Sequence, residues 1–285
     1  MKFPAFEYVR ARSVAEAVQF LERYGSDARI LAGGQSLLPM LAFRMSSPSL
    51  LVDISGIADL RFIEERDGAI RIGALARHVD LERSDIIANR LPLIYRAVPE
   101  IAHIAIRNRG TIGGSLSLAD PAAQLPACML ALGALMVAMG PAGVRHIPAA
   151  EFFMGTYETA LDASEVLTHV EIPIPSPKAR SHFSQLSRRH GDFAMTGLAA
   201  ICAREGEEIE ELRLVYLGCG DRPLRAARTE ALLRRMKSAP DRAELFASLE
   251  ADLEPSTDLQ ATAEMRIHLA SVLTERAFSD LMSVG

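Results

Sequence analysis

Two pairs of adjacent glycines stand 80 residues apart, Gly33-Gly34 in "ILAGGQSLLPML" and Gly113-Gly114 in "RNRGTIGGSLSL". Small polar residues flank them, Gln35 and Ser36 beside the first pair, Thr111 and Ser115 beside the second. A glycine pair costs backbone entropy and is retained where a side chain would collide with something approaching the main chain. With a hydroxyl at hand and a helical run behind, each loop can offer backbone N–H groups to anionic oxygens. A plain tight turn after a strand uses the same residues. Two such loops in one chain favour a single large phosphate-bearing ligand held between them. Neither loop has the G-x-G-x-x-G spacing of a Rossmann fingerprint or the G-K-[ST] of a P-loop, so those two nucleotide folds are disfavoured.

The elements that must position these loops can be read from periodicity. Ser13 and Glu16 form a capping box ahead of a helix carrying Val14, Ala17, Val18 and Leu21, closed by Gly25. The strand "ARIL" enters the first glycine pair, a helix runs to about Met45, and "LLVDI" at 50–54 returns as a buried strand. Strand, helix, strand is the simplest parallel crossover. A second unit opens with a hairpin about Asp67-Gly68 and continues through helical stretches near 78–84 and 91–101 to the second pair. Asp120-Pro121 reads as a helix start, Asp as N-cap and Pro at the first helical position. Residues 121–144 carry no charge and approach the length of a membrane span, but Pro126, Gly133, Gly140, Pro141 and Gly143 interrupt them. A buried helix, a turn at Gly133 and the strand "ALMVAM" fit better. Pro173, Pro175 and Pro177 mark an extended connector. Beyond it come a hairpin, "GLAAICAREGEEIEELRLVYLGCG", and a helical tail from about Ala226.

Composition narrows the function classes. A net charge of −5 and the absence of Trp supply neither the basic field nor the stacking surfaces of a nucleic-acid binder. The basic runs "SRRH" at 187–190 and "LLRRMK" at 232–237 are short enough to be solvated faces. Cys128, Cys202 and Cys219 are far apart, with no C-x-x-C pair, so neither a disulfide framework nor a zinc or iron-sulfur site is encoded. This points to a reducing compartment. "MKFPAFEYVR" lacks the apolar core and cleavage site of a signal peptide, and the expectation is a cytoplasmic protein with no transmembrane segment. The seven histidines are scattered, read as surface or satisfied core residues, and neither H-E-x-x-H nor G-x-S-x-G is present. No catalytic acid or base is assigned.

"AGGQSLLP" at 32–39, "RNRGTIGGSLSLADPAAQLPA" at 107–127, "RRHGDFAMTGLAA" at 188–200 and "GDRPLRA" at 220–226 occur together. In that order and at those separations they resemble the FAD-binding medium subunit of molybdenum hydroxylases, the family of carbon monoxide and xanthine dehydrogenases. The resemblance covers nearly the whole chain. It implies an α+β fold: a two-subdomain FAD-binding domain like that of vanillyl-alcohol oxidase over 1–176, with subdomains of about 1–56 and 57–176, followed by a smaller α+β domain of antiparallel strands and helices over 177–285. Carried over, Ala32, Gly33, Gly34, Gln35 and Ser36 form the first FAD loop, and Thr111, Ile112, Gly113, Gly114 and Ser115 the second. On this reading the glycines let the FAD pyrophosphate approach the backbone.

Other residues follow by the same resemblance. Asp120 matches an acid that helps hold FAD, a role a helix N-cap could share. Leu167 matches an aliphatic residue near the flavin, though a core strand residue looks the same. Phe193 stands where relatives bring Tyr or Phe to the isoalloxazine, with a core phenylalanine as the alternative. Gln185 replaces a Lys that contacts the flavin in many relatives. Losing that cation weakens electrostatic support for an anionic reduced flavin. The resemblance also implies partners: a small subunit with two two-iron two-sulfur clusters, a large subunit with the molybdenum cofactor, and a heterotrimer doubled about a two-fold axis. This chain then transfers electrons from the clusters to an external acceptor (NAD, oxygen or a quinone) and hydroxylates nothing alone. The alternatives are an autonomous FAD-dependent oxidoreductase similar to UDP-N-acetylenolpyruvoylglucosamine reductase, and a flavin-free assembly subunit. The substrate, whether carbon monoxide, a purine, an N-heterocycle or an aldehyde, is left open.

Overall fold

The structure is a computed structural model that describes residues 2–206, 208–236 and 241–283. Met1, Glu207 in the expected hairpin turn, and Lys237 of the second basic run lie outside the described residues. The chain opens with β1 (Glu7–Arg10), α1 (Val14–Tyr24), β2 (Ala28–Leu31), α2 (Leu37–Ala42) and β3 (Leu50–Asp53). All three strands are parallel, in the order β1-β3-β2, and α2 makes the crossover from β2 to β3. Ser13 Oγ caps α1 by accepting from Glu16 N at 3.1 Å. The reciprocal half of the capping box is displaced by one residue: the Glu16 carboxylate accepts from Arg12 N at 2.7 Å. α1 buries Ala17, Val18 and Leu21 against this small sheet. α2 stops at Ala42 rather than near Met45, because Arg44 turns into the left-handed region at φ 56° and leaves Phe43 and Met45 exposed.

The second layer contains β4 (Ile63–Arg66), β5 (Ala69–Gly73), α3 (His78–Glu82), α4 (Asp85–Arg90), α5 (Pro92–Ala97), α6 (Ile104–Arg107), α7 (Ile112–Leu118), α8 (Gln124–Leu132), β6 (Leu135–Gly140), β7 (Gly143–Pro148), α9 (Ala149–Phe152), the short pair β8 (Phe153–Gly155) and β9 (Glu158–Thr159), and β10 (Val166–Pro173). β4-β5-β10-β6-β7 form an antiparallel sheet. Asp67 and Gly68 both take positive φ, 52° and 77°, giving the primed turn expected between β4 and β5. The uncharged segment folds as α8, a left-handed Gly133 and β6. Asp120 is not a helix cap. Ala119 leaves α7 in the left-handed conformation, the Asp120 carboxylate closes a turn by accepting from Ala122 N at 2.9 Å, and α8 begins four residues later behind Ala123.

The third layer consists of β11 (Ala179–Leu186), β12 (Thr196–Glu205), β13 (Glu208–Leu217), β14 (Leu224–Arg225), α10 (Ala227–Arg234), α11 (Arg242–Asp252) and α12 (Ala263–Met282). Its antiparallel sheet has the order β11-β12-β13-β14, and its central strands β12 and β13 bury side chains on both faces. Period-two alternation divides β12: Leu198, Ala200 and Cys202 face α10–α12, whereas Ala199 and Ile201 join the core of the preceding layer. In β13, Leu212, Leu214 and Tyr216 take the first side and Val215 and Leu217 the second. α8 packs on β12 and β13, and α5 on β11. Arg213 Nη1 donates to Ala131 O at 3.0 Å across this contact. Among the described residues, no helix is long and apolar enough to cross a membrane.

Because one face of this sheet completes the core of the preceding layer, residues 177–285 expressed alone would expose Ala199, Ile201, Val215 and Leu217. The expected result is a fragment that binds a hydrophobic dye and unfolds without a cooperative transition. A sharp urea transition for the isolated fragment would contradict the shared core.

Candidate functional site

The first glycine loop leaves the C-terminal end of β2, and the second follows α6. They interlock. An ideal Cβ at Gly33 would overlap the Arg109 carbonyl oxygen and lie 3.0 Å from Gly110 Cα. Gly33 is therefore glycine so that the two loops can touch, not to make room for a ligand. Gly113 is similar, because a Cβ there would come within 2.5 Å of Ala74 Cβ at the end of β5. Gly34 answers a different demand: its φ is +71°. Gly114 fits the ligand argument, since a Cβ on it would meet only Thr111 Oγ1, at 3.0 Å.

The loops also differ in the donors they leave free. The second pair lies inside the first turn of α7 rather than in a loop ahead of it, and its amides are spent. Ile112 N donates to Ala76 O and Gly113 N to Ala74 O, both at 2.9 Å. Gly114 N donates to Thr111 Oγ1 at 3.1 Å, and Ser115 N to Thr111 O at 3.0 Å. The expectation that this loop supplies backbone N–H groups to an anion is therefore corrected for Ile112 to Ser115, whereas Thr111 N has no acceptor among the described residues and the loop's hydroxyls are also at hand. In the first loop, by contrast, the N–H groups of Gly33, Gly34, Gln35 and Ser36 donate to no backbone carbonyl among the described residues. The Gln35 side chain folds back to Gly33 O at 3.0 Å and stiffens the loop.

Both loops face a cavity of about 760 Å³, within the range of small-molecule and cofactor sites. Ala32, Gly33, Gly34, Gln35, Ser36, Thr111, Gly113, Gly114, Ser115, Asp120, Leu167 and Phe193 all line it. Two of the expected residues do not. Ile112 turns its side chain into the core beneath α7 and is wholly buried. Gln185 stands one residue behind the wall: its Oε1 accepts from Gln124 Nε2 at 2.9 Å, and Gln124 is the residue that faces the cavity. Phe193 is 62% exposed at the cavity mouth, so the core alternative for it does not hold. Its turn is anchored at the base by Met195 N to Leu186 O at 2.8 Å and by the buried Arg266, which donates to Met195 O and Gly218 O. Leu167 is buried and serves both cavity and core.

Burial pushes the Asp120 carboxyl above its ordinary range, against hydrogen bonds from Ala122 N and Tyr157 Oη. Tyr157 itself has a positive φ of 58° and reaches Asp120 Oδ2 at 3.4 Å. No sequence pattern singled out Tyr157. His78 was also missed, being read as an ordinary histidine. The residue lines the cavity but is only 5% exposed, and both its ring nitrogens are shut off from solvent with no hydrogen-bond partner among the described residues. Burial lowers its pKa to about 4. The Arg107 guanidinium acts in the same direction, and the Thr111 backbone opposes it without meeting hydrogen-bond geometry. Among the described residues, no group of three or more His, Cys, Asp or Glu is placed to hold a metal ion, and all three cysteines are buried thiols.

Comparison with known proteins agrees with this geometry. Residues 4–175 match the family model described as the FAD binding domain in molybdopterin dehydrogenase, and residues 181–281 match that of the CO dehydrogenase flavoprotein C-terminal domain. Caffeine dehydrogenase subunit beta of Pseudomonas sp. (strain CBB1) is 37% identical over 98% of this chain and 95% of its own length. The carbon monoxide dehydrogenase medium chain of Hydrogenophaga pseudoflava is 36% identical over 97% of this chain and 96% of its own. A solved carbon monoxide dehydrogenase from the same organism, lacking the Mo-pyranopterin moiety, superposes with a TM-score of 0.93 at 37% identity, covering 99% of this chain and 98% of that one. Quinoline 2-oxidoreductase from Pseudomonas putida 86 gives 0.90 at 37% identity, with the same coverage.

The glycines can be separated experimentally. Gly33→Ala is expected to destabilise the chain by about 1–3 kcal/mol through backbone overlap. Gly114→Ala is expected to change stability by less than about 1 kcal/mol and yet weaken FAD binding. Urea unfolding and FAD titration of both variants check this, and equal stability losses would contradict it. His78 gives a pH dependence. Its folded pKa of about 4 lies below the ordinary 6.5, so between those values the unfolded chain binds more protons. Its contribution, about 3 kcal/mol, is present in full above pH 6.5 and lost as pH falls toward 4. Asp120, with its raised pKa, has the opposite sign, so the difference between wild type and His78→Gln isolates the histidine. Parallel stability curves across pH 4 to 7 would contradict the assignment.

Proposed function

This chain belongs to the family of FAD-binding medium subunits of molybdenum hydroxylases, and from that premise we propose that it is the flavin station of a multi-subunit dehydrogenase, taking electrons from the two-iron two-sulfur clusters of a small subunit and passing them to an external acceptor. The observation that carries the reading is the cavity between the interlocked loops, with four unpaired amides on one side and the Ser115 hydroxyl on the other. The residues fit the group. A dinucleotide diphosphate needs donors without bulk, and a Cβ at Gly114 would meet no backbone, only the Thr111 hydroxyl at 3.0 Å. Bound FAD supplies the redox chemistry, and the chain supplies binding, orientation and electrostatics.

In this reading the amides of Gly33 to Ser36 hold the diphosphate, the hydroxyls of Ser36, Thr111 and Ser115 add further donors, and Asp120 accepts from the cofactor's hydroxyls. Leu167 and Phe193 flank the flavin, and Phe193 at the mouth restricts water. Gln185 acts through Gln124, its side-chain partner at the cavity wall. The FAD-binding domain spans 1–176, with subdomains of about 1–56 and 57–176, and the C-terminal domain spans 177–285. The molybdenum cofactor belongs to a large partner subunit, the complex is a dimer of heterotrimers, and its place is the cytoplasm.

The test is to purify the chain with whatever co-purifies, record the visible spectrum, release the cofactor and identify it. The expected result is stoichiometric FAD, with iron and molybdenum found only in co-purifying chains and no substrate hydroxylation by this chain alone. Hydroxylation by the single chain would overturn the division of labour, and a complex without flavin would favour an assembly role.

A further inference from the structure

Arg107 ends α6 and turns back on the chain that leads into that helix. It is buried, and it does not line the cavity. Its Nε pairs with Glu82 of α3 at 3.0 Å, while its Nη1 donates to three carbonyls of one short stretch, Pro99 O at 3.3 Å, Ile101 O at 3.1 Å and Ala102 O at 3.0 Å. No backbone N–H among the described residues donates to any of the three. That stretch is strained. Ala102 holds a φ of 44°, a left-handed conformation that costs an L-residue energy and persists only where the surroundings impose it. Against it lies the turn between β11 and β12: an ideal Cβ on Gly191, itself at φ 89°, would come within 3.2 Å of Ala102 O and 2.9 Å of the His103 ring. No side chain fits between them. Ile101 and Ala102 on one side, and Gly191, Asp192 and Phe193 on the other, all line the cavity.

We propose that Arg107 is a positioning residue for the bound flavin: its guanidinium holds the left-handed Ala102 peptide in place, and that peptide fixes the Ile101–Ala102 wall and the Phe193 turn seated against it. The inference rests on the FAD reading and adds to it a residue that acts through the main chain. Without the guanidinium three carbonyls lose their donor, the wall relaxes to an ordinary conformation, and FAD must reseat it on binding. The apparent affinity then falls with the fraction of chains that still hold the binding conformation.

The test measures FAD affinity and the visible circular dichroism of the bound flavin in the full chain, stripped of flavin and refilled, for wild type, Arg107→Met, and Arg107→Met combined with Ala102→Gly. Methionine keeps an unbranched apolar stem and removes the donors. With the cost of one left-handed L-residue passed to binding, Arg107→Met loses roughly 5-fold to 30-fold in affinity, and its visible dichroism changes. Glycine takes the left-handed conformation without that cost, so Ala102→Gly restores most of the affinity lost in the Arg107→Met chain. An arginine serving general stability alone would not be relieved in this way. If Arg107→Met does not fold, Gly191→Ala decides, because it leaves Arg107 and Glu82 in place and presses on the same peptide from the mouth; a loss of affinity with altered dichroism is expected. Wild-type affinity and dichroism in Arg107→Met, a loss that Ala102→Gly does not relieve, or wild-type affinity in Gly191→Ala overturns the inference while leaving the FAD reading intact. Failure of the wild-type chain to take up FAD overturns the reading beneath it.

Discussion

The contact on which this site depends is the approach of Gly33 to the Arg109–Gly110 backbone. Two loops from different sheets meet there with no side chain between them, and the meeting fixes the cavity between them. Each loop is held by its own layer, the first by the end of β2 and the second by the hydrogen bonds of Ile112 and Gly113 to Ala76 and Ala74 just beyond β5. The contact therefore registers the first two layers against each other at the edge of the cavity. It also divides the work: the second loop spends the amides of Ile112 to Ser115 on the fold, leaving the first free to spend its own on an anion.

The C-terminal layer is coupled to this site through packing. Its sheet gives one face to α10–α12 and the other to the core around α5 and α8, so it cannot shift without disturbing α8, which carries the cavity residue Gln124. The turn between β11 and β12 places Gly191, Asp192 and Phe193 at the mouth, and Arg266 from α12 anchors the base of that turn. Burying Arg266 requires pairing, which Asp258 provides at 2.7 Å. The layer thus gives the cavity a wall as well as supplying a second core.

Much of this was legible in the chain. Period-two and period-3.6 patterns located the crossover, the Asp67-Gly68 hairpin, the buried α8 and the hairpin of β12 and β13, because burial writes those patterns directly; that β12 and β13 are buried on both faces was not read from them. The glycine pairs identified the site, but not why each glycine is there: close approach to another loop or another strand leaves the same letter as close approach to phosphate. Asp120 resembled a helix cap because Asp-Pro favours one locally, whereas the left-handed Ala119 redirects the chain into a turn. Ile112 sits in the motif and in the core, since alternate residues of one short helix face different ways. His78 had no signal at all. A single histidine after a strand looks like any other until the fold removes its water and its partners.

The central claim, that the first loop keeps the amides of Gly33 to Ser36 free while the second spends those of Ile112 to Ser115, is tested most directly by residue-resolved amide hydrogen exchange with and without FAD. The account predicts that Gly33 to Ser36 exchange freely in the flavin-free chain and become protected when FAD binds, while Ile112 to Ser115 are protected throughout. Protection gained at Ile112 to Ser115, with Gly33 to Ser36 unchanged, would contradict it.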